Sequence, residues 1–168
     1  VGSEMCIRDS AKAVWLDYCE CKMIDTIARE PLWRHLINYR CGTGHSVSFV
    51  GNVHEGPHAL NSRNTTRMRP GMVVTDEPGV YETDLVGIRI ENELVCVHKA
   101  DNQYGTFLGF EPLMFVPIAT SPILPGVLDK DEIAWLNDYH RQVFAKLAPH
   151  LNDEERSWLA EKCAAIGC

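Results

Sequence analysis

Cys41-Gly-Thr-Gly-His-Ser-Val-Ser-Phe-Val-Gly-Asn-Val-His-Glu-Gly-Pro57 is a run of small residues punctuated by two histidines, His45 and His54. Downstream stand Thr75-Asp-Glu-Pro-Gly79 and Arg89-Ile-Glu-Asn92. Together the three pieces supply one imidazole and two carboxylates, His45, Glu77 and Glu91, a donor set suited to zinc, manganese, cobalt or ferrous iron. One such cation ordinarily takes a fourth partner. A pair of ions roughly 3.5–4 Å apart takes more carboxylates still, because bridging oxygens must neutralise both charges. The rest of the sequence offers no evident candidates for these further ligands.

Strand periodicity places Glu91. From Val86 to His98 the residues alternate, so that Val86, Ile88, Ile90, Leu94 and Cys96 share one face and Arg89, Glu91 and Glu93 the other. One face reads as core and the other as site, with Arg89 on the same side as Glu91, where a guanidinium can orient a ligating carboxylate. The competing reading from periodicity alone is an ordinary surface ion pair on a half-exposed strand. Glu77 closes the short apolar run from Gly71 just before a Pro-Gly turn, a common surface position when read by itself.

Four ordered blocks carry a resemblance: Gly42-Thr-Gly-His45, Asn52-Val-His-Glu-Gly-Pro57, Thr75-Asp-Glu-Pro-Gly79 and Arg89-Ile-Glu-Asn92. They resemble the X-prolyl aminopeptidases (aminopeptidase P), and the chain is similar to the C-terminal part of the long bacterial and eukaryotic-cytosolic form. Phe110-Glu-Pro-Leu-Met-Phe-Val-Pro-Ile118 and Trp135-Leu-Asn-Asp-Tyr-His140 resemble the C-terminal extension of that form. The similarity thus runs from about Ile24 to the end of the chain.

The resemblance implies an α+β class and a partial pita-bread (creatinase/aminopeptidase) fold, antiparallel sheet with helices, followed by a C-terminal helical extension. It divides the chain into residues 1–21, a poorly matching candidate non-native segment; 22–105, the C-terminal half of a metallopeptidase catalytic domain; and 106–168, the extension. It further implies a dinuclear site in which His45 and Glu77 bind one metal and Glu91 bridges both. Manganese is the first expectation, two ions per intact site, with zinc or cobalt as alternatives. His54 matches the histidine that contacts substrate and stabilises the transition state or shuttles protons, a role open to neutral imidazole near pH 7. Tyr81 and Arg89 match a hydrogen-bonding network behind the metals. The implied reaction is attack of a metal-bridging hydroxide on the bond between an N-terminal residue and a penultimate proline, since metal binding makes hydroxide available near neutral pH. The partners implied are peptides with proline at the second position, and a homodimeric intact parent.

Two departures qualify the match. The resembled family has two further aspartate ligands in an Asp-Gly-Thr-Thr-Asp-like motif upstream, and no such pair precedes His45; Asp17 and Asp25 lack the context. Val1 to Ser10 resembles neither a signal peptide nor the family. The expectation is a fragment of a larger parent, inactive alone. Cys41 stands where the family has a histidine near the substrate pocket; it can serve as a weak donor, as a soft ligand if its pKa is lowered, or as a small buried thiol without a role. Ser46 and Ser48 replace glycines, which suggests a tighter or displaced loop.

Among 168 residues, 45% are hydrophobic and four are Trp, enough for a core. If half the fold is missing, open edges and apolar faces make the chain poorly soluble by itself. The formal net charge of -7 argues against nucleic acid, and the basic cluster Arg63, Arg67 and Arg69 sits in a polar surface loop from Asn61 to Pro70. No apolar run approaches the roughly 20 residues needed to cross a bilayer, so no membrane partner is expected. Seven cysteines without a regular framework favour a reducing compartment, the cytoplasm by default.

Lys22 to Ala28 and Pro31 to Asn38 read as helical pieces, with Pro31 at a first helical position. Alternation predicts strands over His45 to Val53, Met72 to Thr75, Val86 to His98 and Thr106 to Pro117. After a Pro-rich connection from Pro117 to Pro125, two helices start near Asp129 and Asn152, each with a glutamate three residues on that makes a capping box. Ile133, Leu136, Tyr139, Val143 and Leu147 form an apolar stripe on the first.

Three functional readings follow. The first is the C-terminal portion of a proline-specific metalloaminopeptidase. The second is another enzyme of the same fold, a prolidase or methionine aminopeptidase, against which the Asn52–Pro57 block and the long extension weigh. The third is a non-catalytic pita-bread module that binds peptides or proteins.

Overall fold

Asn92, Leu94 and Cys96 alternate inward along β7 (Asn92–Asn102), an 11-residue strand of the computed structural model, which describes residues 3–124 and 126–167. β7 pairs antiparallel with β8 (Gly105–Pro112) on one side and β4 (Val73–Asp76) on the other, and β1 (Val14–Leu16) completes a sheet of order β1-β8-β7-β4. Gly105 closes the β7–β8 hairpin at φ +131°, a backbone region that side chains disfavour. Leu60, Met68, Val74, Leu94, Cys96, Leu108 and Phe110 form the core with Trp15 and Ile24, and the Trp15 and Phe110 rings lie 4.6 Å apart.

Helix α1 (Ser3–Ala11) precedes β1, and α2 (Cys21–Trp33) follows it, burying Cys21, Ile24, Ala28 and Leu32 at helical spacing. The two helical pieces read from the sequence are one helix. Pro31 lies inside α2, near its end, rather than at the start of a second helix. Beyond it Leu36 N–H bonds to Trp33 O at 3.0 Å and Ile37 N–H to Leu32 O at 3.1 Å, with Leu36 at φ 58°. That is a Schellman closure with leucine in the left-handed position, and it stops any helix from running to Asn38.

Two strand expectations are also corrected. Gly44–His45 (β2) pairs with Ala59–Leu60 (β3), and residues 46 to 57 make a loop instead of a strand. Ser46 closes its base: its hydroxyl donates to Glu55 O, its N–H to His58 O, and its carbonyl accepts from Glu55 N–H, so side-chain and loop bonds replace a ladder. The strand read from Val86 to His98 breaks at Ile90 and Glu91. β6 (Val86–Arg89) pairs with β5 (Gly79–Glu82) in a two-stranded ribbon, and β7 then enters the main sheet. The ribbon leaves Val86 exposed, so the continuous core face does not form. Met72 to Thr75 corresponds to β4, the strand expected over Thr106 to Pro117 ends as β8 at Pro112, five residues short, and Asn61 to Pro70 is a loop anchored by buried Met68, with Arg63, Arg67 and Arg69 exposed.

By its contacts the chain separates into a unit ending at Met114 and one running from Phe115. In the second, both capping boxes form: Asp129 and Glu132 start α3 (Lys130–Leu147), and Asn152 and Glu155 start α4 (Asp153–Lys162). Tyr139, Val143, Ala148 and Leu159 make its core. The Tyr139 hydroxyl donates to Val116 O at 2.9 Å and His140 Nε2 accepts from the Ile118 N–H at 3.1 Å, which holds that segment on α3. Readings that involve Val1, Gly2, Pro125 or Cys168 lie outside the described residues.

Candidate metal and peptide site

Gly44 lets the His45 strand approach β4 closely: a Cβ built there would stand 1.7 Å from Thr75 O. The contact brings together three successive polar links. His45 N–H donates to Thr75 Oγ1 at 2.9 Å, the Thr75 hydroxyl donates to Glu77 Oε1 at 3.0 Å, and Glu77 N–H donates to Thr43 O at 2.7 Å. Glu77 is buried, and its other oxygen accepts from Arg89 Nη1. A buried carboxylate is thereby fixed at both oxygens and at its backbone.

His45 Nδ1 lies 3.1 Å from Ser46 O. A carbonyl only accepts, so Nδ1 carries a proton, and in the neutral ring Nε2 presents a lone pair. That lone pair faces Glu77 Oε1 at 3.1 Å. Two acceptors held face to face repel each other unless a proton or a cation lies between them. Ligands about 2.1 Å from one cation, at angles between 90° and 109°, stand roughly 3.0–3.4 Å apart, so the separation suits one metal ion. His54 joins this point from the exposed part of the loop, its ring centroid 4.0 Å from that of His45.

The remaining residues singled out in the sequence are placed as follows. Arg89 lies 5.6 Å over the ring of Tyr81, which is half exposed on the ribbon. Cys41 donates its thiol to Gly79 O at 3.5 Å. Glu91 is exposed at the break between β6 and β7, and among the described residues no group of three His, Cys, Asp or Glu side chains converges in a way that could hold a metal. His45 and Glu77 are thus brought together and Glu91 is not gathered with them. Sequence reasoning missed Thr75 and Thr43. Both lie inside quoted motifs, and their hydroxyls were the only local signal. Asp25, weighed as an upstream ligand, is instead paired with Arg29 at 2.8 Å.

Comparison with known proteins extends over the same residues. The description "Metallopeptidase family M24" matches residues 6–98, and "C-terminal region of peptidase_M24" matches residues 106–166. A Coprinopsis cinerea protein described as a probable Xaa-Pro aminopeptidase P is 41% identical over 152 residues, 86% of this chain and 24% of that protein. The crystal structure of an X-prolyl aminopeptidase from Caenorhabditis elegans, described as a cytosolic enzyme with a di-nuclear active site, matches with a TM-score of 0.88 at 36% identity, covering 98% of this chain and 28% of that one. A prolidase from Pyrococcus furiosus matches with a TM-score of 0.55 at 25% identity, covering 67% of this chain and 30% of that one. The chain spans about a quarter of the length of the relatives it matches, and its α+β fold is part of the pita-bread architecture. On the extent of the family match, the chain belongs to metallopeptidase family M24.

Proposed function

We propose that this chain is the metal-binding, C-terminal portion of an X-prolyl aminopeptidase, which releases the N-terminal residue from peptides with proline at the second position. The observation that carries the reading is His45 Nε2 lying 3.1 Å from Glu77 Oε1, a pair of atoms placed to share one cation. His45 and Glu77 would hold that ion and Glu91 would serve as the ligand shared with a second, with manganese the first expectation and zinc or cobalt the alternatives. Bound ions would supply hydroxide and polarise the scissile carbonyl. The chain's own residues do the rest: Arg89 and Thr75 fix the Glu77 carboxylate, Tyr81 backs Arg89, and His54 binds the substrate carbonyl or carries a proton beside it. Cys41 borders the substrate pocket. No Asp-Gly-Thr-Thr-Asp-like motif occurs in the sequence, so the chain alone lacks ligands and is inactive. The intact protein is a cytoplasmic homodimer.

The test is an assay of the full-length protein on an Xaa-Pro-Pro tripeptide and an Xaa-Pro dipeptide, with and without added manganese. Metal-dependent release of the first residue from the tripeptide supports the reading. Cleavage of the dipeptide alone points to a prolidase, and no metal-dependent cleavage of either leaves a peptide-binding module.

A further inference from the structure

Helix α2 carries a buried ion pair that takes no part in the chemistry above. Arg29 Nε donates to Asp25 Oδ2 at 2.8 Å, and the two residues are 6% and 1% exposed. Burying two charges is costly and is offset only when every donor and lone pair finds a partner. Here they do. Arg29 Nη1 donates to Tyr39 O at 2.8 Å and to Asn38 Oδ1 at 3.2 Å, Nη2 donates to Cys41 O at 2.8 Å, and the guanidinium lies 4.0 Å from the centre of the Tyr39 ring. The second Asp25 oxygen accepts from the Thr43 hydroxyl at 2.5 Å, and that hydroxyl also meets Tyr39 OH. Thr43 O in turn accepts the Glu77 N–H.

The chain of contacts therefore runs without a gap from the helix to the candidate metal ligands. Arg29 grips the backbone at Tyr39 and Cys41, Asp25 grips the Thr43 side chain, and Thr43 sits between Gly42 and Gly44, whose small size leaves the strand little stiffness of its own. Two residues beyond Thr43 stands His45, and bonded to Thr43 is Glu77. A lysine could keep the charge at position 29 but not the planar fork that reaches four separate acceptors.

We propose that Asp25 and Arg29 are positioning residues for the metal site, holding the Cys41–His45 segment in the register that makes His45 Nε2 and Glu77 Oε1 face each other. The proposal rests on the reading of that pair as metal ligands. The experiment titrates metal-free full-length protein with Co(II) alone and follows the visible absorption of the bound ion, beside thermal melting of the metal-free protein. Arg29→Lys is expected to weaken Co(II) binding by about tenfold or more and to change the absorption envelope. Thr43→Val, which cuts the Asp25 link while keeping the side-chain shape, is expected to act in the same direction and serves if Arg29→Lys does not fold. Unchanged Co(II) affinity and spectrum in a folded variant, whatever its melting temperature, would overturn the proposal, because a purely structural pair would lower stability alone. If the unsubstituted protein binds no Co(II), the ligand reading itself fails and the positioning role with it.

Discussion

Glu91 stands at the break between β6 and β7, exposed, two residues from the guanidinium that grips Glu77. Its proposed bridging role asks the side chain to turn toward His45 and Glu77 when a cation draws the three together. Glu91→Ala in the full-length protein should then weaken manganese binding by more than roughly 100-fold, beyond the loss typical of an outer hydrogen-bonding partner. Calorimetric titration that returns an unchanged affinity would remove Glu91 from the site. The two donors that do meet, His45 and Glu77, were legible because each sits in a short motif whose residue types advertise ligand chemistry. Their supports were not. Thr75 is a hydroxyl among many, and the grip of Asp25 and Arg29 on Thr43 and Cys41 crosses from a helix to a loop, a pairing that no local spacing encodes. Asp25 was weighed as a ligand only because it is a carboxylate upstream of His45. Burial beside Arg29 gives it a different use.

At the scale of elements, legibility followed locality. Both capping boxes were readable because each reciprocal pair lies three residues apart, and β8 because its residues stay in one sheet, between β1 and β7. The single strand read over Val86 to His98 failed since a period of two records which face a residue takes and nothing about which sheet it joins. The end of α2 failed for another reason: a leucine, not a glycine, occupies the left-handed position of its closure. Leu36 is exposed and at φ 58°, so its side chain adds strain and little packing. The left-handed conformation costs an L-residue roughly 1–2 kcal/mol, part of which a glycine returns through its freer unfolded chain. Leu36→Gly should therefore stabilise by about 1 kcal/mol, read as a higher urea midpoint with an unchanged slope. On α3, burial pushes the His140 pKa below that of an ordinary histidine, and its Nε2 is engaged by the Ile118 N–H. The unfolded chain takes up a proton near pH 6.5 while the folded one resists, so stability is full above about pH 6.5 and falls as the pH drops toward the lowered folded value, by up to about 1.4 kcal/mol per pH unit. His140→Gln should flatten that slope. A variant with the same acid dependence would mean that another group governs it.

For the molecule as a whole, the question is what the chain does when it stands alone. It spans about a quarter of the length of its relatives, yet Leu36, Phe49, Val50 and Leu85 are each at least 80% exposed. Two-stranded ribbons, β2–β3 and β5–β6, add short edges with open hydrogen-bonding groups. Such a surface is unfavourable in water, and its apolar part contributes roughly 25 cal/mol for each Å² that contact with another molecule would cover. The formal charge of -7 opposes association, but only within a Debye length of about 8 Å at physiological salt, so it slows contact without preventing it. The chain by itself should form oligomers that grow with concentration and with added salt, measured by light scattering on a sizing column. Salt is the discriminating variable: screening should promote apolar association of a negatively charged chain and would dissolve assemblies held by opposite charges. A monodisperse monomer that unfolds sharply and reversibly would show instead that the cores around Leu94 and Leu108, around Cys6, Leu32 and Tyr39, and around Tyr139 and Val143 suffice without the rest of the fold.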